Sequence, residues 1–164
     1  SAPPWERSDV VDEFPHLSCD KYVADSLLAL ARDAGVADSV RGAAASGLGQ
    51  LGRAEEAAEV LLALASRARV ADSVRYAAAR GLGQLGQAEE AAEMLLALAR
   101  DAGVDDYVRS AAASGLGELG RADDKALDGL LALARDARVA DYVRSRAYEA
   151  LKRLAGGVGS PAGG

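Results

Sequence analysis

The sequence predicts an all-α chain built as an α-solenoid of four repeated helical hairpins, and two observations carry that prediction. The first is a period. Leu27-Leu28-Ala29-Leu30 has counterparts beginning at Leu61, Leu95 and Leu130, at spacings of 34, 34 and 35 residues, and Val36, Val70, Val104 and Val139 keep the same register. A fixed period of roughly 20 to 50 residues marks an array in which each unit buries its apolar face against the next. The second is composition: half of the residues are hydrophobic but only 4% are aromatic, so the core rests on Ala, Leu and Val. Ala and Leu are strong helix formers, and small side chains let helices approach closely.

In chain order, residues 1–19 form an N-terminal extension that differs from everything after it. Three of the four prolines and the single Trp and Phe lie there. Trp5, Phe14 and Leu17 are expected to fold back over the first helix as a cap, with Ser1 to Pro4 mobile. Four repeats follow, at about 20–52, 53–86, 87–120 and 121–155, and a flexible Gly-rich tail covers 156–164.

Each repeat reads as two helices. In the second, Ala54 to Ala68 places Ala57, Leu61, Leu64, Ala65 and Ala68 on one face, with Glu55, Glu56 and Glu59 near the positive N-terminal end. The partner helix starts after Val70, where Asp72 is the expected N-cap. Val74, Ala77, Ala78, Gly81, Leu82 and Leu85 give it an apolar face, and Gly86 ends it. Asp38, Asp106 and Asp141 hold the equivalent capping position. The turns are short, so each pair is an antiparallel αα-hairpin. All four prolines fall outside the repeats, as uninterrupted helices require.

The segment Asp72 to Gly86 resembles the second helix of a HEAT-like repeat, whose pattern is approximately V-R-x-x-A-A-x-A-L-G-x-L-G with an Asp shortly before it. It departs from that pattern at Gly81, where Ala is usual. The resemblance covers about residues 20–155 and implies a right-handed α-solenoid of four HEAT-like repeats. Ala-rich versions of this kind are similar to the arrays attached to bacterial NACHT-type signalling ATPases, where they serve as sensor or partner-binding regions. Tetratricopeptide repeats share the period, but their aromatic positions and unit-ending proline are missing here.

Gly47-Leu48-Gly49-Gln50-Leu51-Gly52 recurs as Gly81 to Gly86 and as Gly115 to Gly120, and each copy satisfies G-x-G-x-x-G. A dinucleotide cradle needs a strand before the glycines and a helix N-terminus after them. These strings sit instead at helix C-terminal ends. Glycine inside a helix costs roughly 1 kcal/mol relative to Ala, so close helix packing is the expected compensation. The fourth repeat is an internal control: Ala150 and Lys152 replace the first two glycines, and Arg146 stands where Ala43 does. Larger residues are tolerable there if no fifth repeat packs behind. Arg41, Arg75, Arg109 and Arg144 recur three residues after each Asp, and the HEAT resemblance implies that these Asp and Arg residues form a hydrogen-bonded ladder between neighbouring units.

The more informative positions vary from unit to unit. Counted from the residue after each Asp, offsets of 0, 3, 7 and 11 fall on one stripe of the second helix. They are Ser39, Gly42, Ser46 and Gln50; Ser73, Tyr76, Arg80 and Gln84; Tyr107, Ser110, Ser114 and Glu118; and Tyr142, Ser145, Glu149 and Arg153. In HEAT-like proteins second helices line the concave face. Tyr76, Arg80, Gln84, Tyr107, Ser114, Glu118 and Tyr142 are therefore the expected contacts for a protein or peptide partner, led by the Tyr and Arg residues that interface hot spots favour.

Charge and the rarer residues bound the alternatives. A net charge of -6 and a pI near 4.8 disfavour nucleic acid, which is gripped mainly by Lys and Arg on phosphates. One cysteine, Cys19, permits no intrachain disulfide, and with His16 it makes an incomplete metal set, so neither metal nor cofactor is expected. The sequence holds no membrane span and no signal-like start, and a cytoplasmic setting is the simplest expectation. The chain begins at Ser1 rather than Met, as a segment of a longer protein would. The expected function is a non-catalytic protein- or peptide-binding scaffold. The alternatives are a bilin-lyase-like enzyme, since the same resemblance extends to such lyases, or a structural spacer or oligomerisation segment.

Overall fold

The computed structural model describes residues 19–120 and 123–158. The cap proposed for Trp5, Phe14 and Leu17, and also His16, lie outside the described residues. Among the described residues every regular element is a helix: α1 (Cys19–Arg32), α2 (Asp38–Gln50), α3 (Ala54–Ser66), α4 (Asp72–Gln84), α5 (Ala88–Arg100), α6 (Asp106–Glu118), α7 (Asp124–Arg135) and α8 (Asp141–Val158). Consecutive helices pack as hairpins, the arrangement of an α-solenoid of helical repeats. The contacts divide the chain into two compact units, residues 1–60 and 61–164.

In the first unit α1 and α2 close on Ala24, Ala31, Ala44, Ala45 and Leu48, all buried. Arg53 fastens the next turn to this hairpin. Its guanidinium donates to both oxygens of Glu56 at 2.8 and 2.7 Å and to Asp25 at 3.0 Å. This fork holds the Asp25 carboxyl below its ordinary value through the Arg53 hydrogen bond.

The second unit is two-layered. The first helices α5 and α7 pack on each other, and the second helices α4, α6 and α8 lie side by side with α6 in the middle. Leu61, Leu64, Leu82, Leu95, Leu98, Leu116, Leu130 and Val143 are its fully buried larger side chains. The repeated leucines thus form the interior. α6 buries the most: Val108, Arg109, Ser110, Ala112, Ala113, Gly115, Leu116 and Gly117.

Three expectations are corrected at the helix ends and faces. First, Asp38 and Asp72 are not N-caps: α2 and α4 begin on them, the caps are Ala37 and Ala71, and neither makes a side-chain capping bond. At α6 it is Asp105 whose carboxylate accepts from the Tyr107 backbone N–H, at 2.9 Å. The repeated Asp turns towards the Arg one helical turn later, Arg41 Nη1 reaching Asp38 Oδ1 at 3.0 Å and Arg109 Nη1 reaching Asp106 Oδ1 at 3.2 Å.

Second, the arginines join helices within a hairpin and not neighbouring units. Arg41, Arg75, Arg109 and Arg144 donate through Nε to the carbonyls of Ala31, Ala65, Ala99 and Ala134, at 2.9, 3.3, 3.1 and 3.1 Å. Each carbonyl belongs to the last turn of the first helix, where no intrahelical donor remains. The cation also faces the negative end of that helix.

Third, the faces shift slightly. α3 ends at Ser66, so Ala68 lies exposed in the turn. On α4 Ala77 is exposed and Ala79 is buried beside Ala78 and Leu82. A helix packed on both a hairpin partner and a neighbouring second helix buries a wider arc, displaced towards that neighbour.

Candidate functional site: the second-helix stripe

Each glycine of the repeated string does a different job. A Cβ on Gly81 would meet Leu61 Cδ1 at 2.9 Å, one on Gly115 would meet Leu95 Cδ1 at 3.3 Å, and one on Gly47 would meet Leu27 Cδ1 at 3.1 Å. The first glycine therefore seats the leucine of its own hairpin partner. The second packs against the next second helix: a Cβ on Gly83 would meet Leu119 Cδ2 at 2.5 Å, and one on Gly117 would meet the Ala150 Cα at 2.9 Å. The third has positive φ, 82° at Gly52, 84° at Gly86 and 66° at Gly120. At Gly86 the Gln87 N–H reaches the Leu82 carbonyl at 3.0 Å and the Gly86 N–H reaches Gly83 at 3.2 Å, a Schellman ending.

That seam lays the variable positions of α4, α6 and α8 side by side. Arg80 Nη2 lies 3.7 Å from Glu118 Oε2, linking α4 to α6, and the Arg80 guanidinium sits 5.9 Å from the centroid of the Tyr76 ring. The ring is half-buried against Gly115. Gln84 joins Arg80 and Glu118 around a cavity of about 260 Å³ floored by Gly83, Ala88, Leu95, Gly115 and Leu119. Four of the expected contacts, Tyr76, Arg80, Gln84 and Glu118, thus come together.

Tyr107 and Tyr142 stand apart from that group, at the starts of α6 and α8, and are 75% and 51% exposed. The Tyr142 hydroxyl is pushed above its ordinary value by desolvation and then by the nearby Asp106 and Asp105 carboxylates. Ser114 lines a second cavity, of about 270 Å³, with Glu118, Arg146, Glu149, Ala150 and Arg153. Ser110 does not belong to the exposed stripe. It is buried, and its hydroxyl donates to the Tyr107 carbonyl at 2.8 Å. In the first unit Ser39, Ser46 and Gln50 are exposed and Gly42 is half-buried.

Arg146 enters the site although the sequence marked it only as a tolerated replacement for Ala43. Its signal was its distance from Arg153: seven residues on a helix is close to two turns, which returns to the same side. Among the described residues no group of three or more His, Cys, Asp or Glu side chains could hold a metal ion. No helix among them is long and apolar enough to cross a membrane.

The family model for HEAT repeats matches residues 70–152, just over half of the chain. The chain belongs to the HEAT-repeat family. The matched span opens at Val70, ahead of α4, and closes inside α8, so it takes in α4, α6 and the greater part of α8. A second family model, the PBS lyase HEAT-like repeat, matches residues 40–67. No curated protein and no solved structure matches the chain. Family membership accounts for the helical repeats and does not name a ligand.

Proposed function

We propose that the chain is a non-catalytic interaction module. It presents Tyr76, Arg80, Gln84, Tyr107, Ser114, Glu118 and Tyr142 to a protein or peptide, as the sensor or interaction region of a larger bacterial signalling protein. One observation carries this reading: positions equivalent by repeat diverge along the stripe while the core Leu and Ala positions behind them barely change and are buried. Packing explains the constancy of the interior and leaves the diversity of the surface to recognition. Tyr and Arg are also the residues that most often dominate binding energy at interfaces.

The experiment is capture from native-cell extract by the wild-type chain and by a variant with Tyr76, Arg80 and Tyr107 all replaced by Ala. Loss of a captured protein with helical circular dichroism retained supports the stripe. Equal capture by both chains rejects it.

The match of residues 40–67 to the PBS lyase HEAT-like repeat favours one second reading, a bilin-lyase-like activity. Mixing the chain with a free bilin and an acceptor protein separates the two, because a lyase shifts the tetrapyrrole absorption and transfers the chromophore. A third reading, a spacer that self-associates, predicts sedimentation mass that rises with concentration.

A further inference from the structure

We propose that the cavity between α6 and α8 is a subsite for the acidic side chains of a peptide partner, gripped by Arg146 and Arg153 with the Ser114 hydroxyl beside them. The proposal rests on the peptide-binding role of the stripe and specifies what chemistry its C-terminal end selects.

Two carboxylates and two guanidiniums line the cavity, and the cations that pair with those carboxylates add to the positive side. Glu118 is answered by Arg80 at 3.7 Å, and Glu149 by Lys152 at 3.8 Å. Both carboxylates that line the cavity are thereby engaged, and among the described residues Arg146 and Arg153 have no acidic partner. In a chain of net charge -6, two exposed guanidiniums outside any ion pair among the described residues face this cavity, beside two carboxylates that pair with other cations. The remaining arginines of the second helices, Arg41, Arg75, Arg109 and Arg144, are held by Asp38, Asp72, Asp106 and Asp141. A guanidinium is weakly hydrated and presents a planar fork that matches a carboxylate with two parallel hydrogen bonds.

Geometry favours a peptide over a nucleic acid. Seven residues of helix set the two arginine anchors roughly 10.5 Å apart along α8. An extended chain rises about 3.3 Å per residue, so acidic residues about three positions apart match that spacing. A nucleic acid would carry its charge onward along the stripe, where Asp105, Asp106 and Asp141 stand at the other end of the same helices. A peptide can change its charge from residue to residue.

The test is fluorescence anisotropy with dye-labelled peptides of equal length, rich in Glu, in Lys or in Ser, and with a thymidine oligonucleotide. The Glu-rich peptide should bind best, and Arg146→Gln with Arg153→Gln should weaken it about tenfold or more, as expected when charge-assisted hydrogen bonds are removed. Arg138→Gln, at a residue 91% exposed and already paired with Asp136, should leave binding unchanged. Glu-peptide binding that is indifferent to the double substitution overturns the proposal, and so does an oligonucleotide that displaces that peptide from these arginines. Should the Lys- or Ser-rich peptide bind best and lose binding in the Tyr76, Arg80 and Tyr107 variant, the acidic subsite falls while the stripe stands. Absence of binding by any peptide also overturns the subsite, and the capture experiment then decides the stripe separately.

Discussion

The side chain that best separates structure from recognition is the repeated arginine. Arg109 is buried, donates to the Ala99 carbonyl and pairs with Asp106, so it works on the inside of a hairpin although its type suggests a surface contact. Arg109→Met should destabilise the chain by about 1–3 kcal/mol, because a helix-terminal carbonyl is left without a donor; urea unfolding measures it. Asp106→Asn should cost less, under about 1 kcal/mol, since that carboxylate is partly solvated. Tyr142 is the residue whose titration reports the acidic end of the stripe. Its folded pKa lies above the ordinary 10.0, first through desolvation and then through Asp106 and Asp105. The folded state therefore holds this proton more tightly than the unfolded chain. The resulting contribution to stability is present below pH 10.0 and is lost as pH rises through the folded value. The difference in phenolate absorbance between wild type and Tyr142→Phe should accordingly develop above pH 10.0.

At the level of the helix, the glycine string resolves into a leucine seat, a helix–helix contact and a C-terminal stop. The distinction is testable by two identical substitutions. Gly81→Ala pushes against the end of the Leu61 side chain, which can rotate away, and it gains helix propensity of roughly 1 kcal/mol; it should be close to neutral. Gly117→Ala pushes against the Ala150 backbone, which cannot turn aside without separating α6 from α8. It should cost about 1–3 kcal/mol, the usual range for overpacking, and thermal melts of the two variants give the comparison. The string's three places were legible as a packing seam because it repeats with the period and is lost in the fourth unit. Which glycine faced which helix was not legible, since contact with the next second helix depends on how hairpins stack. The N-cap assignment failed for a similar reason: Asp followed three residues later by Arg has two local partners, and the carbonyl at the end of the preceding helix draws the Arg, and the Asp with it, away from the cap.

For the chain as a whole, the acidic balance sets solution behaviour. Near the pI of about 4.8 the net charge vanishes, and solubility should pass through a minimum there, measured as the protein left in solution after equilibration across a pH series. Asp25 and Asp136 act at lower pH. Arg53 and Arg138 hold their folded pKa values below 3.8, so the stability they contribute is present above that value and is lost as pH falls through the folded ones. The sequence by itself determined the helical repeats, their hairpin pairing and the leucine interior, because period and apolar spacing are local properties written into each unit. It also located the stripe, whose positions are exposed or half-buried apart from Ser110. Only the tertiary structure decided that Arg80 meets Glu118, that Ser110 turns inward, and that Arg146 and Arg153 share a cavity with Glu118 and Glu149, whose carboxylates pair with Arg80 and Lys152. Those relations join residues of different hairpins or turns, and their distances depend on how one helix seats against the next.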